Sequence, residues 1–241
     1  MTELSVVVPV YNEEGAIETL VDDLGNVLPS LFADLEVIVV DDASTDGTPS
    51  ILARLAQDRP WLHVERAAVN AGHGPSVVRG LELARAEWVF QIDSDGQFVV
   101  AEFPLLWARR GDGDLVLGVR EHRRDPTHRL LLTRAVRFAT SLLVGARLHD
   151  VNTPFRLLRR SVWDDLRPLI GPSTLAPNIF VSVGAKVRGW RVVELPATHR
   201  PRATGTGSLR ALRLVRFSLR ALGQLLAFRF RLRNLQAPTK P

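Results

Sequence analysis

An α/β fold, a mostly parallel sheet with helices on both faces, is what this sequence predicts, and three observations carry it. Short apolar, β-branched runs alternate with segments of helical periodicity through the first half of the chain. Each of these runs stops in a cluster of Asp, Asn, Ser or Gly, the residues that end strands and make turns. With 241 residues, 46% of them hydrophobic, the chain is long and apolar enough to close a full core.

Leu4 to Val10 reads as a buried strand ended by Pro9 and Tyr11-Asn12, and Gly15 to about Leu28 carries helix-spaced apolar residues. Leu35 to Val40 repeats the pattern and ends in Asp41-Asp42-Ala43-Ser44-Thr45-Asp46-Gly47, after which Thr48 can cap and Pro49 can open a second helix. Trp61 to Glu65 is a short third strand. Asn70 to Pro75 forms a turn into a helix that runs to about Ala86, and the fourth strand, from Val89, stops at Asp93-Ser94-Asp95-Gly96-Gln97. Strand and helix alternating at this spacing imply parallel neighbours joined by crossovers.

The second half is less regular. A helix near Phe103 to Arg110 and a strand from Asp114 to Val119 precede an arginine-rich loop, Arg120 to His128. Arg129 to Val144, Val162 to Leu169 and Ala176 to Val187 read as helices, with strands at Phe155 to Leu158 and Trp190 to Leu195. A Gly-rich loop, Thr198 to Gly207, leads to a basic amphipathic helix. The chain divides accordingly into one domain, residues 1–207, and a C-terminal basic helix and tail, residues 208–241.

Bulk properties exclude several classes. No cysteine is present, which rules out disulfides and thiolate metal sites and fits a reducing cytoplasm. Met1-Thr2-Glu3-Leu4 lacks the basic start of a signal peptide, and no uncharged apolar stretch approaches the ~20 residues that span a bilayer. The net charge is +5, and Glu194 is the last acidic residue, so everything beyond it is neutral or basic. Neither an RNP-like aromatic pattern nor a helix-turn-helix signal accompanies these basic residues, which argues against nucleic acid as a partner.

Asp93 and Asp95 are the chemical focus. Alternate residues of an extended segment point the same way, so two carboxylates at a strand's carboxyl end can converge where open α/β sheets bind ligands. Oxygen donors with the neighbouring amide of Gln97 suit a hard divalent ion, Mg²⁺ or Mn²⁺. Taken alone, Asp-Ser-Asp-Gly also reads as a plain polar turn.

Four motifs stand in series: Val7-Val8-Pro9-Val10-Tyr11-Asn12-Glu13-Glu14, Val39 to Thr48, Asn70-Ala71-Gly72-His73-Gly74, and Asp93-Ser94-Asp95-Gly96-Gln97. Their order resembles that of the GT-A glycosyltransferases of family 2. Gly118-Val119-Arg120-Glu121-His122-Arg123-Arg124-Asp125, with Arg129 and Thr133, and Thr198-His199-Arg200-Pro201-Arg202, with Gly205 and Ser208, resemble the polyprenyl-phosphate branch that includes dolichol-phosphate mannose synthase.

The resemblance implies a GT-A, Rossmann-like fold and assigns roles residue by residue. Pro9, Tyr11, Glu13 and Asp42 would surround base and ribose, while Asp93, Asp95 and Gln97 would carry the metal against the donor diphosphate. Arg120, Arg129, Thr133 and Arg202 would clasp the lipid phosphate, a task suited to guanidinium and hydroxyl groups. His73 stands where the family usually has lysine, and Gly96 where the branch has a bulkier residue. The implied reaction is inverting transfer of mannose from GDP-mannose, or of a hexose from a UDP-sugar, onto polyprenyl phosphate. Relatives often carry transmembrane helices after the catalytic domain. Their absence from this sequence implies a cytoplasmic enzyme peripheral to the membrane, reaching it through its own tail or a membrane-anchored partner protein.

A phosphate acceptor also removes the need for a base, because a phosphate monoester is already largely dianionic at neutral pH. The helix from Ala176 offers Asn178 and no carboxylate before Glu194. Asp150 reads as a structural loop acid and Asp165 as a solvated helix residue. Two alternatives remain open: transfer to a hydroxyl with an Asp base, or a non-catalytic protein that binds nucleotide sugar at a membrane. In the tail, Arg210, Arg213, Arg216 and Arg220 fall within about 120° of one another at about 100° per residue, opposite Leu212, Leu214, Val215, Leu219, Leu222, Leu225 and Leu226. That layout suits a helix lying on an anionic leaflet and equally a helix docked on the core.

Overall fold

A computed structural model of the chain describes residues 2–120, 148–201, 220, 223–224 and 226–232. Its strands are β1 (Leu4–Val10), β2 (Leu35–Asp41), β3 (Leu62–Arg66), β4 (Trp88–Gln91), β5 (Leu115–Arg120), β6 (Arg156–Arg159) and β7 (Val192–Ala197), joined in one sheet of order β3-β2-β1-β4-β6-β5-β7. The first four are mutually parallel, in registers such as Val7↔Ile38 and Val7↔Gln91. β6 runs antiparallel to both β4 and β5, and β7 closes the edge parallel to β5. The strands were legible in the sequence, but this reversal was not.

The helices are α1 (Ile17–Val27), α2 (Thr48–Gln57), α3 (His73–Leu83), α4 (Phe103–Ala108), α5 (Arg160–Leu166) and α6 (Pro177–Val187). Every residue of β1 is buried, as a strand covered on both faces requires. Val6, Val8 and Val10 face a core shared with Ile17, Leu24 and Leu52 of α1 and α2, while Val7 faces Val77, Leu81, Trp163 and Val181 of α3, α5 and α6. Gly80 lets α3 lie directly on β1, because a Cβ there would sit 2.3 Å from Val7 Cγ1.

Three local expectations need correction. Thr48 does not cap α2 with its side chain: Asp46 Oδ1 accepts the Thr48 N–H at 3.0 Å, and the buried Thr48 hydroxyl instead accepts the Glu13 N–H at 2.9 Å. α3 begins at His73, ahead of Pro75. Asp165 is not a solvated residue: its carboxylate accepts from Arg188 Nε at 3.0 Å and Trp190 Nε1 at 2.9 Å, and only 13% of the side chain is exposed.

Part of the tail belongs to the core. Phe228 and Leu232 are buried, and the Phe228 ring packs edge-on against Phe180 of α6 at 4.9 Å. Gln224 accepts the Leu175 N–H at 3.1 Å and donates to Ser173 O at 3.3 Å, which holds the loop before α6.

Candidate active site

The carboxyl ends of β1, β2 and β4 meet on one edge, and the turns leaving them build the site. After β2, Asp41 Oδ1 accepts the Ser44 N–H at 2.9 Å and Ala43 adopts a φ of +57°. Asn12, at φ +53°, reaches across: its Oδ1 accepts the Thr45 N–H at 2.8 Å. Asp46 Oδ2 accepts the Glu14 N–H at 3.1 Å. The loops after β1 and β2 are thereby locked together, with Tyr11 left 45% exposed at the opening. Asp42 is buried, and its two oxygens accept the Ala71 and Gly72 N–H groups at 2.8 Å each. It shapes the loop before α3, so any nucleoside contact must share a carboxylate already bound to backbone.

β4 ends at Gln91, and the chain turns at Ser94-Asp95 before Gly96 at φ +69°. Asp95 Oδ1 accepts the Gln97 N–H at 3.2 Å. Gln97 Nε2 donates to Arg200 O at 3.0 Å, which commits the nitrogen end of the amide and leaves Oε1 as its donor atom for a cation. The residues present therefore offer carboxylate and amide oxygens, the hard set that Mg²⁺ or Mn²⁺ takes. A cleft of about 360 Å³, lined by Thr19, Asp23, Asn26, Asp95, Gly96 and Arg200 among others, opens beside Asp95.

His73 Nε2 lies 2.9 Å from Asp93 Oδ1. Burial alone pulls the imidazole pKa down, but the Asp93 carboxylate, helped by Asp95 and Asp42, outweighs it and holds the pKa above the usual histidine value. Half of the ring still meets solvent, 51%, so the carboxylate sets its charge more than burial does. For Asp93, burial pushes the pKa up, while His73, then Arg120 and Arg156, bring it below the usual range. The histidine at this position is thus held against Asp93, in surroundings that favour its protonated form.

Arg120, at the end of β5, is 15% exposed, with Nε 3.3 Å from Asp150 Oδ2 and its guanidinium carbon 5.8 Å from the Phe98 ring centre. Arg156 of β6 is 1% exposed and hydrogen-bonds carbonyls of Val151, Thr153 and Asn178 and the Ser182 hydroxyl. Burial lowers its pKa to about 9, against the opposing charges of Asp150 and Asp93, and it remains a cation at neutral pH. Arg156 is a residue that sequence reasoning missed; its one signal was an arginine between Phe155 and Leu157 in an apolar run. Pro9, Tyr11, Glu13, Asp42, Asp93, Asp95, Gln97 and Arg120 all lie on the loops and strand ends of this edge, whereas Arg129, Thr133 and Arg202 lie outside the described residues.

Known proteins agree with this architecture. The sequence model of Glycosyl transferase family 2 matches residues 5–167. An undecaprenyl-phosphate 4-deoxy-4-formamido-L-arabinose transferase of Pseudomonas paraeruginosa is 30% identical over 215 residues, 88% of this chain and 62% of that protein. A protein of the same name from Enterobacter sp. is 27% identical over 88% of this chain and 64% of its own length. The chain thus spans about three fifths of the length of the curated relatives it matches. Among solved structures, glucosyl-3-phosphoglycerate synthase of Mycobacterium tuberculosis, crystallised with Mn²⁺, UDP and phosphoglyceric acid, superposes with a TM-score of 0.69 at 20% identity, over 95% of this chain and 78% of that one. TarS of S. aureus gives 0.62 at 20% identity, over 94% and 72%. These two share the GT-A fold. With the family model covering well over half of its length, the chain belongs to glycosyl transferase family 2.

Proposed function

We propose that this chain transfers a sugar from a nucleoside diphosphate sugar to a polyprenyl phosphate, at a membrane surface and with a divalent cation held by Asp93, Asp95 and Gln97. The observation that carries the reading is the position of Arg120: a largely buried guanidinium at the end of β5, close enough to the acid pair to act on Asp93. An acceptor phosphate bound there would lie next to the donor diphosphate. The names of the undecaprenyl-phosphate relatives support that acceptor class. The Mn²⁺ and UDP named in the complex of the M. tuberculosis neighbour support a divalent metal and a nucleotide as the ligand classes.

Bound at the pair, Mg²⁺ or Mn²⁺ would serve as a Lewis acid for the departing diphosphate. Arg120 orients a phosphate oxygen for in-line attack on the anomeric carbon, whose bond to the diphosphate oxygen breaks as the new one forms. His73 adds positive charge on the leaving-group side. No carboxylate has to remove a proton, because the acceptor phosphate is already ionised. Arg129, Thr133 and Arg202 would complete the phosphate clasp. The sugar is mannose from GDP-mannose or a hexose from a UDP-sugar. Access to lipid would come from the basic tail or a membrane-anchored partner; no helix among the described residues is long and apolar enough to cross a membrane.

The deciding assay incubates the protein with Mn²⁺, a panel of labelled UDP- and GDP-sugars, and either a short polyprenyl phosphate or the matching polyprenol. Label should enter the organic phase with the phosphate alone. Robust transfer to polyprenol would replace this reading with the hydroxyl-acceptor one.

A further inference from the structure

Arg120 does not stand by itself. Its Nε sits at ion-pair distance from Asp150 and its Nη2 donates to Asn152 O at 3.4 Å, so among the described residues its polar partners come from one loop, residues 149–153. That loop is pinned on every side. Arg156 Nε donates to Thr153 O at 2.8 Å, while its Nη2 donates to Thr153 O at 2.5 Å and to Val151 O at 3.2 Å. Thr153 Oγ1 donates to Gly118 O at 2.6 Å, two residues before Arg120. Glu194 accepts the His149 N–H at 2.7 Å from the far strand.

Among the described residues Arg156 hydrogen-bonds neutral oxygens alone, with Asp150 and Asp93 acting on it as charges at longer range. A buried cation in that position adds little net stability of its own. What it fixes is the backbone of Val151 and Thr153, and through it Asp150.

We propose that Asp150 and Arg156 are positioning residues for the acceptor: Arg156 sets the 149–153 loop, the loop sets Asp150, and Asp150 holds the Arg120 guanidinium in the plane that receives the lipid phosphate. This rests on the reading that Arg120 meets that phosphate. It also gives Asp150, the carboxylate of the loop, a role other than general base.

The test measures farnesyl phosphate affinity by calorimetry alongside steady-state kinetics on the full chain. Asp150→Asn keeps shape and removes the charge. It should weaken farnesyl phosphate binding and raise the acceptor KM about tenfold, the scale of lost outer contacts to a binding group. Donor KM and saturated turnover should stay near those of the unmodified protein. Arg156→Lys should weaken acceptor binding in the same sense, and Asp150→Asn should add nothing in an Arg120→Ala background, the mark of two residues acting as one unit. Unchanged acceptor affinity in Asp150→Asn would overturn the proposal. So would a fall in turnover with normal binding, which would make Asp150 a base. Asp150→Asn decides the matter even where Arg156→Lys does not fold. An unmodified protein that neither binds farnesyl phosphate nor uses polyprenyl phosphate would remove the acceptor reading itself, and that result appears before any variant is made.

Discussion

Asp95 lies half-buried in the turn after β4, where its Oδ1 accepts the Gln97 N–H, a bond that an asparagine oxygen can keep, so its charge can be removed without touching the core. Asp95→Asn is expected to lower turnover about 100-fold, equivalent to about 2.7 kcal/mol of lost transition-state stabilisation, with little change in Tm. Initial rates in excess Mn²⁺ and a thermal melt check this; full activity in EDTA would contradict the metal assignment. His73 makes a second test at the same scale. It bonds Asp93, whose carboxylate favours the protonated ring, so when protonated it can stand in for the lysine that the family resemblance sets at this position. His73→Lys should retain activity, while His73→Ala should lose about tenfold. Equal activity of the alanine variant would show that the charge at this position is idle.

Between elements, charged staples do more than the sequence revealed. Asp165 of α5 takes Arg188, just past the end of α6, and the Trp190 indole beyond it, and Asp114 takes Arg191, tying the start of β5 to the start of β7. Burial raises both aspartate pKa values, but the hydrogen bonds from Arg188 and Trp190, and from Arg191, outweigh it and leave both below the usual range. A depressed carboxylate contributes stability that is present above its unfolded pKa, about 3.9, and is lost as pH falls through the lower folded value. Asp165→Asn should therefore cost about 2 kcal/mol near pH 7, and the gap to the unmodified protein should close below about pH 4. Denaturant melts across that range measure it. The inner strands β1, β2 and β4 were legible because strands buried on both faces write continuous apolar runs into the chain. The staples were not, because Asp165 and Arg188 stand 23 residues apart, His73 and Asp93 20, and such partners leave no local pattern. The antiparallel β6 escaped for the same reason: strand direction depends on a neighbour chosen by the whole sheet. The acid pair was visible because a strand end and turn residues coincide in five consecutive positions, Asp93 to Gln97.

At the scale of the molecule, the tail presents two apolar faces with different destinations. Residues two apart on a helix point about 200° apart, so Phe228 and Leu232 enter the core while Leu226 and Phe230 face away, 54% and 70% exposed. For these described residues the docking stripe is Phe228 and Leu232, and Leu226 and Phe230 form a separate outward stripe whose contact with a membrane is the expectation to be tested. Arg220 and Arg231 are exposed near the outward pair, and no acidic residue follows Glu194, so the charge suits an anionic leaflet. Truncating the tail before Ser208 would be a poor test, because it would also strip Phe228 and Leu232 from the core. Point variants separate the two faces. Phe228→Ala should cost about 3 kcal/mol or more in denaturant melts, the scale for emptying a buried aromatic site. The pair Leu226→Ser and Phe230→Ser should leave stability within about 0.5 kcal/mol, as surface changes do, yet weaken sedimentation with anionic vesicles. Binding by the unmodified protein should fall with added salt, since each arginine near the leaflet contributes about 1 kcal/mol of screened attraction. Vesicle binding by the double serine variant equal to that of the unmodified protein would mean that this face does not meet the membrane.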